Sequence, residues 1–161
     1  MHIRDYMPGE EAIQREVFRS SVRQLAGAYY TNAQIDAWAP AAYDRDTWRE
    51  KMAANRPFVA VIGHRVAGYA DLQATGHIDH FFVSPEFARR GVGSALMRHI
   101  HDVATERGVT RLCADVSLAA EAFFTRHGFV VDRRQSVPVR GMALSNAHMI
   151  KAAIGDRHGD G

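Results

Sequence analysis

The chain has 161 residues, 47% of them hydrophobic and 24% charged, and its 20 basic residues against 18 acidic ones leave a formal charge of +2. This is globular rather than disordered composition, the small positive excess argues against nucleic acid as a partner, and no apolar run reaches the ~18 residues of a membrane span, so no membrane partner is expected. The single cysteine, Cys113, excludes an intramolecular disulfide, and Met1-His2-Ile3-Arg4-Asp5 lacks a basic segment followed by an apolar one, so a cytoplasmic protein is expected.

Residues 2–6 read as a short edge strand. Residues 9–27 read as a helix, with Pro8 near its start, Ile13, Val17, Val22 and Leu25 at helical spacing, and Gly27 at its end. Thr31 and Gln34 have the spacing of a capping box, which predicts a short helix over 32–38 stopped by Pro40. Asp44 is placed to cap a further helix running to about residue 54, ahead of Pro57. The period then changes. Residues 58–62 are a continuous apolar run, and strands over 66–72 and 77–83 follow across hairpin-sized loops, which predicts a three-stranded antiparallel meander. A helix over 92–107 puts Leu96, Ile100, Val103 and Ala104 on one face and stops at Gly108. A short strand over 111–114, a helix capped by Ser117 and closed by Gly128, and a strand pair over 129–139 and 142–150 complete the pattern. Residues 1–155 read as one domain and 156–161 as a frayed end.

The most informative stretch runs from Val83 to Leu96, where a strand ends, a loop carrying Arg89, Arg90, Gly91 and Gly93 follows, and an amphipathic helix begins. A helix start presents unpaired N–H groups with positive dipole character, and glycine lets a ligand approach the backbone, so such a segment suits a phosphate. A Walker loop is excluded because there is no Lys after the second glycine. A Rossmann fingerprint is excluded because position 96 is Leu and seven residues separate Val83 from Gly91.

The segment instead resembles the acyl-coenzyme A pyrophosphate loop of the GNAT acyltransferase superfamily, Gln/Arg-x-x-Gly-x-Gly/Ala, with Ala88 at the first position here. The stretch from Ser117 to Phe129 is similar to the family's Asn-x-x-Ala-x-x-Phe-Tyr-x-x-x-Gly-Phe, with Ser117 for Asn and Phe124 for Tyr, and the order of elements over residues 58–151 is also similar. The resemblance implies an α/β fold with a mixed, mainly antiparallel sheet of about seven strands flanked by helices. It implies transfer of an acetyl group from acetyl-CoA to an amine of a small molecule or peptide by direct attack; a homodimer stays open, and no metal is expected because His77 and His80, and His99 and His101, diverge. A non-catalytic acyl-CoA-binding module is the alternative, since Phe124 lacks the phenol that many members use as general acid. The same resemblance assigns the pantetheine arm to main-chain groups of Phe81, Phe82 and Val83, and the pyrophosphate to Gly91, Val92, Gly93 and Ser94 with charge from Arg89 and Arg90. It assigns the far wall to Ser117, Ala120, Phe123 and Phe124, and puts Tyr29, Tyr30 and Trp38 in the region that covers the acceptor.

An amine with a pKa near 10.4 must lose a proton before it attacks. Counting back by two from Val83 places Phe81, Asp79 and His77 on one strand face. His77 matches the family's usual Glu, whereas Asp79 matches an Ile-Asp pair that recurs in the most similar subgroup. Asp79 is therefore read as base or substrate anchor, with a structural role open, and His77 is the alternative base. His77 or His80 would serve without the upward pKa shift that Asp79 needs. The two histidines face opposite sides of a strand and make poor joint metal ligands. Tyr69, Tyr29, Tyr30, Ser117 or water remain as donors to the leaving thiolate. Cys113 reads as a core residue, and Arg133, Arg134 and Arg140 as a solvated face.

Overall fold

The computed structural model describes residues 1–152 and residue 154, so the expected frayed end lies outside the described residues. Two four-stranded sheets form its centre. The first has the order β1 (His2–Asp5), β2 (Phe58–Ile62), β3 (Arg65–Ala70), β5 (Phe81–Val83) and is antiparallel throughout. The second has the order β4 (His77–Ile78), β6 (Leu112–Ser117), β8 (Met142–Lys151), β7 (Val130–Val139), with β4 and β6 parallel and the other pairs antiparallel. The mixed, mainly antiparallel class is as expected; among the described residues the count is eight strands in two sheets rather than about seven in one.

The difference arises at one place. The expected third meander strand over 77–83 breaks at Asp79 and His80, so that β4 joins the second sheet and β5 the first. The run is no longer one strand: His77 belongs to the second sheet and borders neither cavity described below, whereas Asp79 and Phe81 both border the groove, so the three do not form the single strand face that the period-2 count required. Ser117 also differs from expectation. It closes β6, and its Oγ accepts a hydrogen bond from the Ala120 N–H at 3.3 Å, while helix α5 begins only at Glu121 and runs to Arg126.

The N-terminal helices follow their sequence signals. α1 (Glu11–Leu25) buries Val17, Phe18 and Val22. Ile13 and Leu25, expected on the same face, are 46% and 49% exposed. α2 (Asn32–Trp38) has both halves of the capping box: the Gln34 N–H donates to Thr31 Oγ1 at 3.1 Å and the Thr31 N–H to Gln34 Oε1 at 2.8 Å. α3 (Arg45–Asn55) is capped by Asp44, which accepts from the Thr47 N–H at 2.9 Å.

Two hydrophobic clusters lie on opposite sides of the first sheet. Leu96, Met97 and Ile100 of α4 (Val92–Arg107) pack with β6 and β8 residues such as Leu112 and Met149. Val17, Phe18, Val22, Trp48 and Met52 of α1 and α3 pack on Val59, Val61 and Tyr69. No helix among the described residues is long and apolar enough to cross a membrane.

Candidate active site

The break between β4 and β5 is held by Asp71, a fully buried carboxylate. Its Oδ1 accepts from the Asp79 N–H at 2.9 Å and from Gln73 Nε2 at 3.0 Å. Its Oδ2 accepts from the His80 N–H at 2.8 Å and from Asn55 Nδ2 at 3.3 Å. Two backbone donors that a continuous ladder would have satisfied are thus satisfied by one side chain, and the two sheets diverge beyond that point. Burial raises the Asp71 pKa, against the hydrogen bonds from Asp79, Gln73 and His80. One edge of β5 pairs with β3; the other faces the gap towards β6 without a strand partner.

At the end of β5 the chain makes one 3₁₀ turn over Pro85–Phe87 and enters α4 through two left-handed residues, Arg89 (φ 62°) and Gly91 (φ 76°). Gly91 is the N-cap, and no side chain caps the helix. Its conformation is one that only glycine adopts without strain, and it leaves the first N–H groups of α4 directed away from the helix body. At Gly93 a Cβ would come within 3.0 Å of Phe123 Cε1, so α4 meets α5 there at glycine distance.

A groove of about 430 Å³ runs from this helix start along the gap between β5 and β6. It touches Phe81, Phe82 and Val83 on one side and Ser117, Ala120, Phe123 and Phe124 on the other, and Arg89, Gly91, Val92, Gly93 and Ser94 form its end. A second cavity of about 500 Å³ lies under α1, α2 and α3. The two have Trp38, Asp79, Phe82, Asp115 and Ser117 in common, so they meet where the sheets part.

Asp79 stands at that junction. Its Oδ2 accepts from Asn55 Nδ2 at 2.8 Å and lies 3.0 Å from Lys51 Nζ. Burial acts to raise its pKa, but the Asn55 hydrogen bond and the charges of His80 and Lys51 outweigh burial, and the net shift is downward. His80 lines the second cavity; its Nδ1 is 3.0 Å from the Tyr69 hydroxyl and its Nε2 3.8 Å from Asp79 Oδ2. Burial lowers its pKa to about 4, so the imidazole is neutral at pH 7.

Several expected residues lie elsewhere. His77 borders neither cavity, because parallel pairing with β6 places it opposite Cys113, and its Nδ1 is 3.4 Å from Cys113 Sγ. Cys113 also borders neither cavity, and burial raises its thiol pKa. Arg90 follows the left-handed turn at Arg89 and lies over the Phe87 ring, 5.6 Å from its centroid, outside both cavities. Tyr29, in the connection between α1 and α2, is 56% exposed and touches neither cavity. Tyr30 and Trp38 both border the second cavity, but the Tyr30 hydroxyl already donates to the Ser145 carbonyl at 2.6 Å and accepts from the Leu118 N–H at 3.0 Å. Arg134 pairs with Glu121 at 2.6 Å, and Arg140, read as part of a solvated face, borders the second cavity. Asp71, Asn55 and Lys51 did not emerge from the sequence; Asn55 and Lys51 reach partners on distant elements, and Asp71 acts through a break in the strand that its own position does not mark.

Comparison with known proteins agrees with this geometry. Residues 27–150 match the model of the acetyltransferase (GNAT) domain. The chain is 35% identical over 149 residues to an uncharacterized N-acetyltransferase of Escherichia coli K12, YafP, covering 92% of this chain and 94% of the relative. The crystal structure of a GCN5-related N-acetyltransferase from Rhodopseudomonas palustris superposes with a TM-score of 0.90 at 31% identity, covering 94% of each chain. PaiA N-acetyltransferase from Thermoplasma acidophilum, solved in complex with coenzyme A, has a TM-score of 0.72 at 16% identity over 94% of this chain and 98% of that one, and shares the fold.

Proposed function

The chain belongs to the GNAT acetyltransferase family, and on that premise we propose that it moves the acetyl group of acetyl-CoA to an amine by direct attack. The observation that carries this reading is the meeting of the two cavities at Asp79, Phe82 and Ser117, one cavity ending on a bare helix start and the other enclosed by aromatic side chains.

The residues present fit the coenzyme. The amides of Val92, Gly93 and Ser94, entered through left-handed Gly91, would hold its diphosphate with Arg89. The free edge of β5 at Phe81, Phe82 and Val83 would align the pantetheine arm, and Ala120, Phe123 and Phe124 would close its far side. When bound, acetyl-CoA supplies a thioester carbonyl with a thiolate as leaving group.

On this reading Asp79 anchors the acceptor. A carboxylate kept anionic by Asn55 and Lys51 is a weak base and a good partner for an ammonium group. Burial leaves His80 as weak a base as Asp79, so proton removal falls to water at the junction, with the neutral His80 imidazole as a hydrogen-bonding group in the cavity. The Ser117 hydroxyl, on a residue that borders both cavities, would serve as donor to the departing sulfur in place of the phenol that Phe124 lacks. The position of Cys113 outside both cavities supports direct attack over a cysteine-bound acyl group.

The test is release of free thiol from acetyl-CoA with a panel of amines. Turnover on at least one amine is expected, with Asp79→Asn raising the acceptor KM while the acetyl-CoA KM stays unchanged. Saturable coenzyme binding without turnover on any amine would favour the non-catalytic acyl-CoA-binding module, for which Phe124 is the supporting residue.

A further inference from the structure

The charged side chains around the second cavity balance in number but are not paired with one another throughout. Its three acids all have partners: Asp79 is held by Lys51 and Asn55, Asp44 caps α3, and Asp115 accepts from His148 Nδ1 at 2.8 Å and Gln135 Nε2 at 2.9 Å. The arginines have none of these acids. Arg15 is only 6% exposed, yet it forms no ion pair among the described residues. One terminal nitrogen, Nη2, donates to the Pro40 carbonyl at 2.8 Å, and its buried Nε has no partner. Its guanidinium carbon lies 4.1 Å from the Tyr43 ring centroid, 4.9 Å from Trp48 and 5.1 Å from Phe18. Arg140 borders the same cavity and, among the described residues, donates only to the Ala37 carbonyl, at 2.8 Å. Burial lowers the Arg15 pKa, and the nearby charges of Arg140 and Arg19 lower it further.

A buried guanidinium without an ion pair, in a cavity that a second guanidinium also borders, is costly to fold around unless an anion completes it. The fork geometry of arginine suits an oxyanion in particular. The aromatic rings define the rest of the ligand. Phe18 stacks edge-on with Phe82 at 4.9 Å between centroids, so the arginine end and the junction at Asp79 are separated by an apolar wall.

We propose that this cavity takes an amine whose apolar or aromatic body ends in an oxyanion, bound by Arg15 and Arg140, while the amine reaches Asp79. The inference rests on reading this cavity as the acceptor site. It narrows the acceptor class to amino-acid-like zwitterions and excludes simple polyamines as preferred acceptors.

The test uses ligands that cannot be acetylated, so it does not depend on turnover. The chain's two tryptophans, Trp38 and Trp48, both border this cavity, and their fluorescence reports on it. The protein is titrated with 3-phenylpropionate, 3-phenylpropanamide and 2-phenylethylphosphonate in the absence of coenzyme. The carboxylate is expected to bind at least about tenfold more tightly than the amide, the scale of one charge-assisted contact. Arg15→Gln is expected to remove the difference and Arg140→Gln to reduce it. Arg133→Gln, which removes the same charge from the outer strand, is expected to leave it intact. The phosphonate tells a carboxylate site from a phosphoryl site, according to which of the two binds more tightly. Equal affinity for acid and amide, a preference that survives both cavity substitutions, or no saturable quenching by either anion up to about 10 mM would overturn the proposal. Anion binding without acetyl transfer to any amine would remove the transferase reading and leave the anion site standing. Turnover of uncharged-tail amines without anion binding would do the reverse. If Arg15→Gln fails to fold, Arg140→Gln, at an exposed position, carries the comparison.

Discussion

Folding carries the His80 imidazole into a site flanked by Phe18, Trp48, Tyr69 and Phe82, with ring centroids 5.5–5.9 Å away. Burial pulls its pKa from 6.5 to about 4, more than Asp79 restores. The neutral form is therefore favoured by the native state, and the unfolded chain takes up the proton first. His80 costs nothing above pH 6.5, and stability falls as pH drops from 6.5 towards 4, by about 3 kcal/mol in all. Chemical denaturation of the protein and of His80→Gln between pH 7 and 4 checks this: the variant should lose less stability over that window. A wild-type curve parallel to the variant's would refute the assignment. Residues of this kind are unevenly legible. The glycine loop is marked by local spacing, and Asp79 only by the Ile-Asp pair of the family resemblance. Arg15 reads in the sequence as one more polar position on a helix, because its significance is the absence of an acid from elements far away in the chain. His77 was misplaced for the converse reason, since alternation along a strand assigns faces only while the strand is unbroken.

At the scale of elements, the decisive feature is the break between β4 and β5. The adjacent polar residues Asp79 and His80 are the only local sign of the break in a run that otherwise reads as one strand, and the residue that holds it, Asp71, lies just after the preceding strand. Asp71→Ala would leave the Asp79 and His80 N–H groups buried and unpaired, and a loss of about 3 kcal/mol is expected in denaturant unfolding. If the variant is as stable as wild type, the break is held by something else. Asp71→Asn should be milder, since one amide oxygen remains as acceptor; a lowered kcat with little change in the acetyl-CoA KM would mark Asp71 as a positioning residue rather than a merely structural one. By contrast, the three N-terminal helices were readable almost to the residue. Their caps at Thr31 and Asp44 are local chemistry, and Pro40 and Pro57 close the segments. The core face of α4 was equally plain: Leu96, Ile100 and Ala104 are fully buried. Leu96→Ala should cost about 3 kcal/mol, the usual scale for a large-to-small change in a packed core.

For the molecule as a whole, the fold class and the family followed from two motifs and the order of elements, which depend on short-range patterns. In the second sheet only the β7–β8 pair followed, because which strands meet across β6 is decided by contacts between residues some 30 apart or more. The two sheets, parting at Asp71, form the cleft, and a ligand that bridges them should hold them together. Acetyl-CoA present at about a hundred times its Kd should stabilise the protein by about 2.7 kcal/mol, seen as a raised Tm. An unchanged Tm at saturating coenzyme would mean that the groove between β5 and β6 is not its site.

The most direct measurement is the amide spectrum of the ¹⁵N-labelled protein as coenzyme A is added. The account predicts that the Val92, Gly93 and Ser94 resonances move furthest and saturably, together with Phe81 to Val83 along the free strand edge, and that Gly91→Glu abolishes these shifts while the rest of the spectrum stays dispersed. Shifts confined to the cavity beneath α1–α3, or undiminished shifts in Gly91→Glu, would contradict it.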